Sequence, residues 1–189
     1  FSNERANGGK QLFSRRNSFR RVEPRIRFSP ILEKSSTIRE LKWEVSFENL
    51  MSLQWKKLTQ NIRLTPLSIR FESGDEISYQ IIKNFERLEN DFNILGDNSI
   101  VIPVGKYTNW SHQIELETAN YRKIVYGIEL NTEGFWSGNR TVYENELIFR
   151  PFPGINLNLG YIHSRVNLRE GNFNTNLISG SNKCPFCRQ

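Results

Sequence analysis

Few side chains in this sequence stand at spacings that could do chemistry, and each has a plainer reading beside it. Cys184 and Cys187 form Cys-Pro-Phe-Cys, the spacing of half a zinc site or of a redox pair. Zinc takes four ligands, and His112 and His163 stand too far off in sequence to complete a finger. A redox pair opens a helix in a βαβ setting, which the pattern lacks. Glu115/Glu117 and Glu144/Glu146 repeat at two residues, so in a strand both carboxylates of a pair share a face, about 7 Å apart. That separation falls in the ~5–9.5 Å range of glycosidase carboxyl pairs. The competing account is a polar, ion-paired row of which the glutamates are ordinary members. His112 and His163 sit in no nucleophile motif, and neither Gly-x-Ser-x-Gly nor a phosphate-binding glycine loop occurs. No catalytic, cofactor-binding or metal-ligating residue is assigned on these grounds, and no cofactor is expected.

The charge pattern narrows the partners. The net +6 is local: residues 1–30 hold eight basic side chains (Arg5, Lys10, Arg15, Arg16, Arg20, Arg21, Arg25 and Arg27) against Glu4 and Glu23, and the rest balance at 18 against 18. A nucleic-acid function built on global charge is therefore weakened, and no nucleic-acid partner is expected. The arginines of 15–27 alternate with Phe13, Phe19 and Phe28, a composition that could meet nucleic acid or anionic lipid. If strands form there, the same arginines line a polar interior or a turn.

The elements that position these residues follow a period of two from Ile38 onward. Leu41, Trp43, Val45 and Phe47 alternate with Lys42, Glu44, Ser46 and Glu48, and Met51, Leu53 and Trp55 continue the pattern. Ile62 and Leu64 alternate until Pro66 breaks the phase, and Leu67, Ile69 and Phe71 resume it. Ser73-Gly74-Asp75 then predicts a tight turn inside a hairpin over 62–85. A longer connection over 86–104 contains Gly96-Asp97-Asn98 and Pro103. Further alternating runs cover 112–118, 124–131, 141–149, 155–162 and 172–177, separated by Glu133–Gly138, Pro151-Phe152-Pro153-Gly154 and Glu170-Gly171. Before Ile38 only Val22, Ile26 and Phe28 hint at a strand, interrupted by Pro24. The chain thus divides into a basic, poorly patterned segment 1–36 with a candidate first strand, an antiparallel meander over 37–180, and a tail 181–189.

An all-β fold of eight or nine strands is expected, with one apolar and one polar face. The apolar fraction of 37% is below the roughly 45–50% of soluble domains, yet 13 Phe, 6 Tyr and 4 Trp are present. Several runs are about ten residues long, against ~5–6 for globular strands and ~9–11 for a tilted transmembrane strand. Trp43, Trp55, Tyr107, Trp110, Phe135, Trp136, Phe149 and Phe152 fall near run ends, where interfacial girdles lie. No run of 18 apolar residues exists, which excludes a transmembrane helix. Alternation alone leaves open a soluble β-sandwich that binds a glycan or peptide, and a glycoside hydrolase-associated domain.

An ordered series of turns adds a resemblance. Ile102-Pro103-Val104-Gly105-Lys106-Tyr107, Glu133-Gly134-Phe135-Trp136-Ser137-Gly138-Asn139-Arg140, Arg150-Pro151-Phe152-Pro153-Gly154-Ile155-Asn156-Leu157 and Val166–Leu177 follow one another in the chain. Together they resemble the C-terminal domain of unknown function, number 5916 in its series, of Gram-negative surface proteins. Ser73-Gly74-Asp75 also fits, extending the likeness back to about Ile62. The resemblance implies an outer-membrane barrel, a lipid bilayer as partner, and a preceding carbohydrate-binding module similar to family nine in the parent chain. It implies no catalytic residue. In such a protein the sequons at Asn109 and Asn139 carry no meaning. The chain opens on Phe1 without a Met and ends without an aromatic closing strand, so a processed or partial chain and an incomplete barrel are expected.

Overall fold

A computed structural model describes residues 19–94 and 100–183. Asn7-Gly8-Gly9, Phe13, Arg15, Arg16, Gly96-Asp97-Asn98, Cys184 and Cys187 lie outside the described residues. The fold is all-β and antiparallel. Strands β1 (Phe19–Val22), β2 (Arg25–Phe28), β3 (Ile38–Ser52), β4 (Lys57–Phe71) and β5 (Glu76–Leu88) are followed by the short pair β6 (Phe92–Asn93) and β7 (Val101–Ile102). Then come β8 (Gly105–Glu117), β9 (Ile124–Phe135), β10 (Gly138–Phe149), β11 (Asn156–Asn167) and β12 (Asn172–Lys183). The large sheet runs β1-β3-β4-β5-β8-β9-β10-β11-β12, β2 also pairs with β3, and β6 pairs only with β7. It is an open meander, with β1 and β2 along one edge and β12 at the other.

Pro24 explains the split first strand. It cannot donate to a ladder, so β1 and β2 lie end to end along β3 with the gap at Glu23-Pro24. Pro66 acts in the same way within β4. Between the pairs Leu64–Ile81 and Leu67–Tyr79 two residues stand opposite one, a bulge that restores the phase of the apolar row. β3 and β4 reach 15 residues and β8 to β12 reach 12 or 13, roughly twice the ~5–6 typical of globular strands.

Residues directly opposite in a ladder share a face, so the register sorts the whole sheet into two. One face carries Leu41, Val45, Phe47, Ile62, Leu64, Ile69, Tyr79, Ile81, Ile114, Leu116, Tyr126, Ile128, Leu147 and Leu159. The other carries every carboxylate in the strands of the sheet, from Glu40, Glu44 and Glu48 through Glu144 and Glu146. Burial is inverted relative to a soluble sheet. In β8, Trp110, Ile114 and Leu116 are 53%, 44% and 41% exposed, whereas Ser111 between them is 1% exposed. Ser68 and Ser78 on the polar face are likewise buried. The polar face is the sheltered, concave one, and the apolar face is outside.

The curl is fixed at one end, hereafter end A, which holds the β3–β4, β9–β10 and β11–β12 turns. Here the connection between β5 and β8 folds back over the concave face. Ile100 and Ile102 pack against Leu88, Val166 and Leu168, with Phe92, Ile94, Tyr107, Phe135, Trp136 and Phe173 around them. This one cluster draws on β5, β8, β9, β11 and β12. Since β5 and β11 are four ladder steps apart, ~19 Å along a flat sheet, only a curved face brings them to a common core. At Gly138 backbones press together: a Cβ there would stand 1.9 Å from the Asn167 carbonyl oxygen.

Several expectations are corrected. The alternation at Leu53 and Trp55 is not strand: β3 ends at Ser52, and Trp55 adopts φ 62° in the turn. Tyr107, Phe135 and Trp136 belong to the internal cluster and not to an outer girdle, because the connection covering that end gives the concave face an apolar patch to bury. The hairpin spans more than 62–85, and the long connection begins after Leu88 and contains β6 and β7. In β12 the register with β11 puts Asn174 and Asn176 on the outer face and Phe173, Thr175 and Leu177 on the concave one, the reverse of the polarity elsewhere.

Candidate functional site

The concave face between the cluster and the opposite end, end B, holds the charged residues singled out by the sequence. Period-two strands place them there in rows, and three zones result. Along the β1–β2 edge, Arg21 pairs with Glu48 at 2.8 Å, and Arg25 and Arg27 reach Glu44 at 3.4 and 2.7 Å. The arginines of 20–27 are therefore divided: Arg21, Arg25 and Arg27 face the concave side, and Arg20 faces out over the Trp55 ring at 4.3 Å.

In the centre Glu76 is a hub. It accepts from Ser68 Oγ at 2.9 Å and Arg70 at 2.9 Å, and Lys42 Nζ lies 3.3 Å away. Two shallow recesses of about 110 and 150 Å³ open beside it, sharing Glu76, Ser78 and Glu115. Beyond it the face is acidic. Glu115 stands opposite Glu129, which stands opposite Glu144, so three glutamates make one row across β8, β9 and β10. Glu76 and Glu117 stand opposite each other in the next row, which continues through Gly127 to Glu146. Thus Glu115/Glu117 and Glu144/Glu146 are indeed on one face, but as parts of rows crossing several strands. Nearer end A, Glu133 and Arg140 are directly opposed and ion-paired, and the guanidinium lies 4.5 Å from the Phe135 ring centroid.

The two histidines lie on the outer face. His112 Nδ1 is 2.8 Å from Tyr79 Oη, and His163 Nδ1 is 2.7 Å from Asn176 Oδ1. Among the described residues, no group of three or more His, Cys, Asp or Glu side chains is arranged to hold a metal ion.

Sequence reasoning missed the polar clamp at end B. Asp75, in the β4–β5 turn, accepts from Ser73 Oγ at 2.7 Å, the Ala119 N–H at 2.8 Å and Arg122 at 2.8 Å. The Ser73 hydrogen bond, then the Ala119 N–H and the Arg122 charge, hold its carboxyl below the ordinary 3.8 against a smaller cost of desolvation. Tyr121 Oη donates to the Ser73 carbonyl at 2.6 Å, and Arg150 donates to Asn120. Gly74, at φ 80°, has Ala119 so near that a Cβ would meet it at 3.0 Å. The signal available was Ser73-Gly74-Asp75 itself, a tight-turn sequence, but the partners of Asp75 across the clamp are 44 to 47 residues away.

No known protein family, curated protein or solved structure matches the chain.

Proposed function

We propose that this chain is part of the wall of an outer-membrane β-barrel and serves to anchor a carbohydrate-related module of a larger surface protein. The observation that carries the reading is the inversion of polarity. Apolar rows on the strands from the β1–β2 edge through β11 face outward and exposed, while serines, glutamates and arginines occupy the sheltered concave side. Exposed apolar patches on soluble monomers rarely exceed a few hundred Å². In lipid such a face is the solvated one, and a wet, ion-paired interior is its counterpart. Strands of 12 to 15 residues suit a tilted span. The ordered turns resembling domain-of-unknown-function family 5916 support the same location and the neighbouring sugar-binding module. The packed cluster at end A supports an anchor over an open conduit, because side chains fill that end of the concave face.

The test is partition. On fractionation the protein should travel with membranes and require detergent to remain dispersed. Monodisperse protein recovered from a detergent-free lysate would replace this reading with the soluble sheet, its apolar face covered by protein.

A further inference from the structure

The outer face changes character on the last three strands. Toward end A the outward positions of β10, β11 and β12 carry six asparagines: Asn139, Asn145, Asn167, Asn172, Asn174 and Asn176. Tyr143, Tyr161, His163 and Arg165 stand among them. Nearer end B, β10 and β11 return to Leu147, Phe149, Leu157 and Leu159. From Asn167 to Tyr161 the polar stretch is about 20 Å long, and three strands make it about 10 Å wide. Arg165 is the one permanently charged side chain at the outward positions described on these three strands. The adjoining β11–β12 turn adds Arg169 and Glu170, one of each sign.

Hydrogen bonds inside the patch fix its rings and leave its amide donors unspent. Asn176 Oδ1 accepts from Tyr161 Oη at 3.1 Å and from His163 Nδ1 at 2.7 Å. Asn145 Oδ1 accepts from Tyr126 Oη at 2.6 Å. Both amide oxygens are thus occupied in holding rings, and both NH2 groups remain as donors. With its proton on Nδ1, the neutral His163 ring keeps Nε2 as an acceptor. The Tyr143 ring lies 6.2 Å from that of His163, and Tyr143 and Tyr161 are 44% and 39% exposed.

We propose that this face of β10–β12 binds a neutral oligosaccharide. A pyranose offers hydroxyls around its rim and C–H groups on its flat sides. Amide donors and the imidazole acceptor meet the hydroxyls, and exposed tyrosine rings meet the flat sides. The scarcity of charge fits the same ligand. One guanidinium is too little to hold a polyanion, and six amides are too costly to bury against an apolar partner. The proposal does not depend on the membrane reading, because the apolar rows nearer end B and the amide platform nearer end A occupy different lengths of the strands.

The experiment applies the whole chain, dispersed in detergent, to an array of neutral and acidic oligosaccharides. The wild type should be retained by neutral members. Asn145→Asp/Asn176→Asp keeps the oxygens that hold Tyr126, Tyr161 and His163 but removes the amide donors, so affinity should fall by about ten-fold. Tyr143→Ala should lower it by roughly five-fold. Trp110→Ala removes a comparably exposed outward ring on β8 and should leave it unchanged. Circular dichroism checks that each variant retains its strands. Retention of the wild type by no neutral oligosaccharide, or by acidic ones alone, overturns the proposal. So does equal binding by the wild type and the patch variants, or an equal loss in Trp110→Ala. None of these outcomes bears on whether the protein partitions with membranes.

Discussion

The two ends of the concave face are built from the same strands and obey opposite rules. At end A the side chains under β6 and β7 are apolar and dry: Ile102 is wholly buried, and Leu88, Ile100, Val166 and Leu168 surround it. Toward end B the same face carries glutamate rows, the Glu76 hub and shallow recesses. The difference teaches that the sheet has no core along its length. Shape is fixed by packing at one end and by hydrogen-bonded turns at the other, with ion pairs spanning the middle. The concave surface can therefore stay polar without the fold losing its curvature.

The comparison breaks most visibly with Ile102→Asp. An unpaired carboxylate placed in the cluster should cost on the order of 4 kcal/mol in urea unfolding from detergent micelles. Glu146→Gln, at an exposed position on the same face toward end B opposite Gly127 and Gly160, should change stability by less than about 0.5 kcal/mol. Equal effects at the two sites would abolish the distinction. A smaller effect is expected at the boundary between the zones. Arg140→Gln leaves the sheltered Glu133 carboxylate without its partner and should cost roughly 2 kcal/mol, much of it recovered when Glu133→Gln is added. That non-additivity in a double-mutant cycle checks that the pair acts as a unit.

The smallest effect is at the end B turns. The Asp75 carboxyl is held below its ordinary 3.8, so the folded state binds the proton less readily than the unfolded chain does. Its contribution is fully present above pH 3.8 and declines as pH falls from there through the lower folded value. Asp75→Asn should flatten that part of the acid-unfolding curve and leave the neutral-pH curve nearly parallel. If instead the acid limb is unchanged, the clamp does not couple the β4–β5 and β8–β9 turns.

How much of this was legible in the sequence differs by zone. Where one strand face is polar and the other apolar, two-residue periodicity shows both faces, and Leu41–Phe47 against Lys42–Glu48 reads directly. Pro24 and Pro66 announced their breaks because the missing N–H acts locally. The end A cluster was not legible. Leu88, Tyr107, Phe135 and Val166 look like lapses in polar rows, and only Phe92, Ile94, Ile100 and Ile102, brought back over the sheet, give them a partner. Nor could alternation assign the two rows of β12 to faces: Phe173/Thr175/Leu177 and Asn174/Asn176 alternate equally well either way, and register with β11 decides. The β3–β4 turn was hidden because Leu53 and Trp55 prolong the alternation, and a positive φ at tryptophan has no compositional signature. The charged rows were foreseen as ion-paired; that they sort into a basic edge, a hub and an acidic wall depends on the order of strands in space.

One consequence of the strand order concerns closure. Eight successive antiparallel steps lead from β1 to β12, so the two edge strands point in the same direction. Rolling the sheet until its edges meet would make a parallel seam, and so would joining it to an identically oriented copy. A ring that is antiparallel throughout has to gain an odd number of strands between them. β12 is suited to receive one, because it has no proline and no charge before Lys183, whereas the β1–β2 edge is broken by Pro24 and lined with arginines.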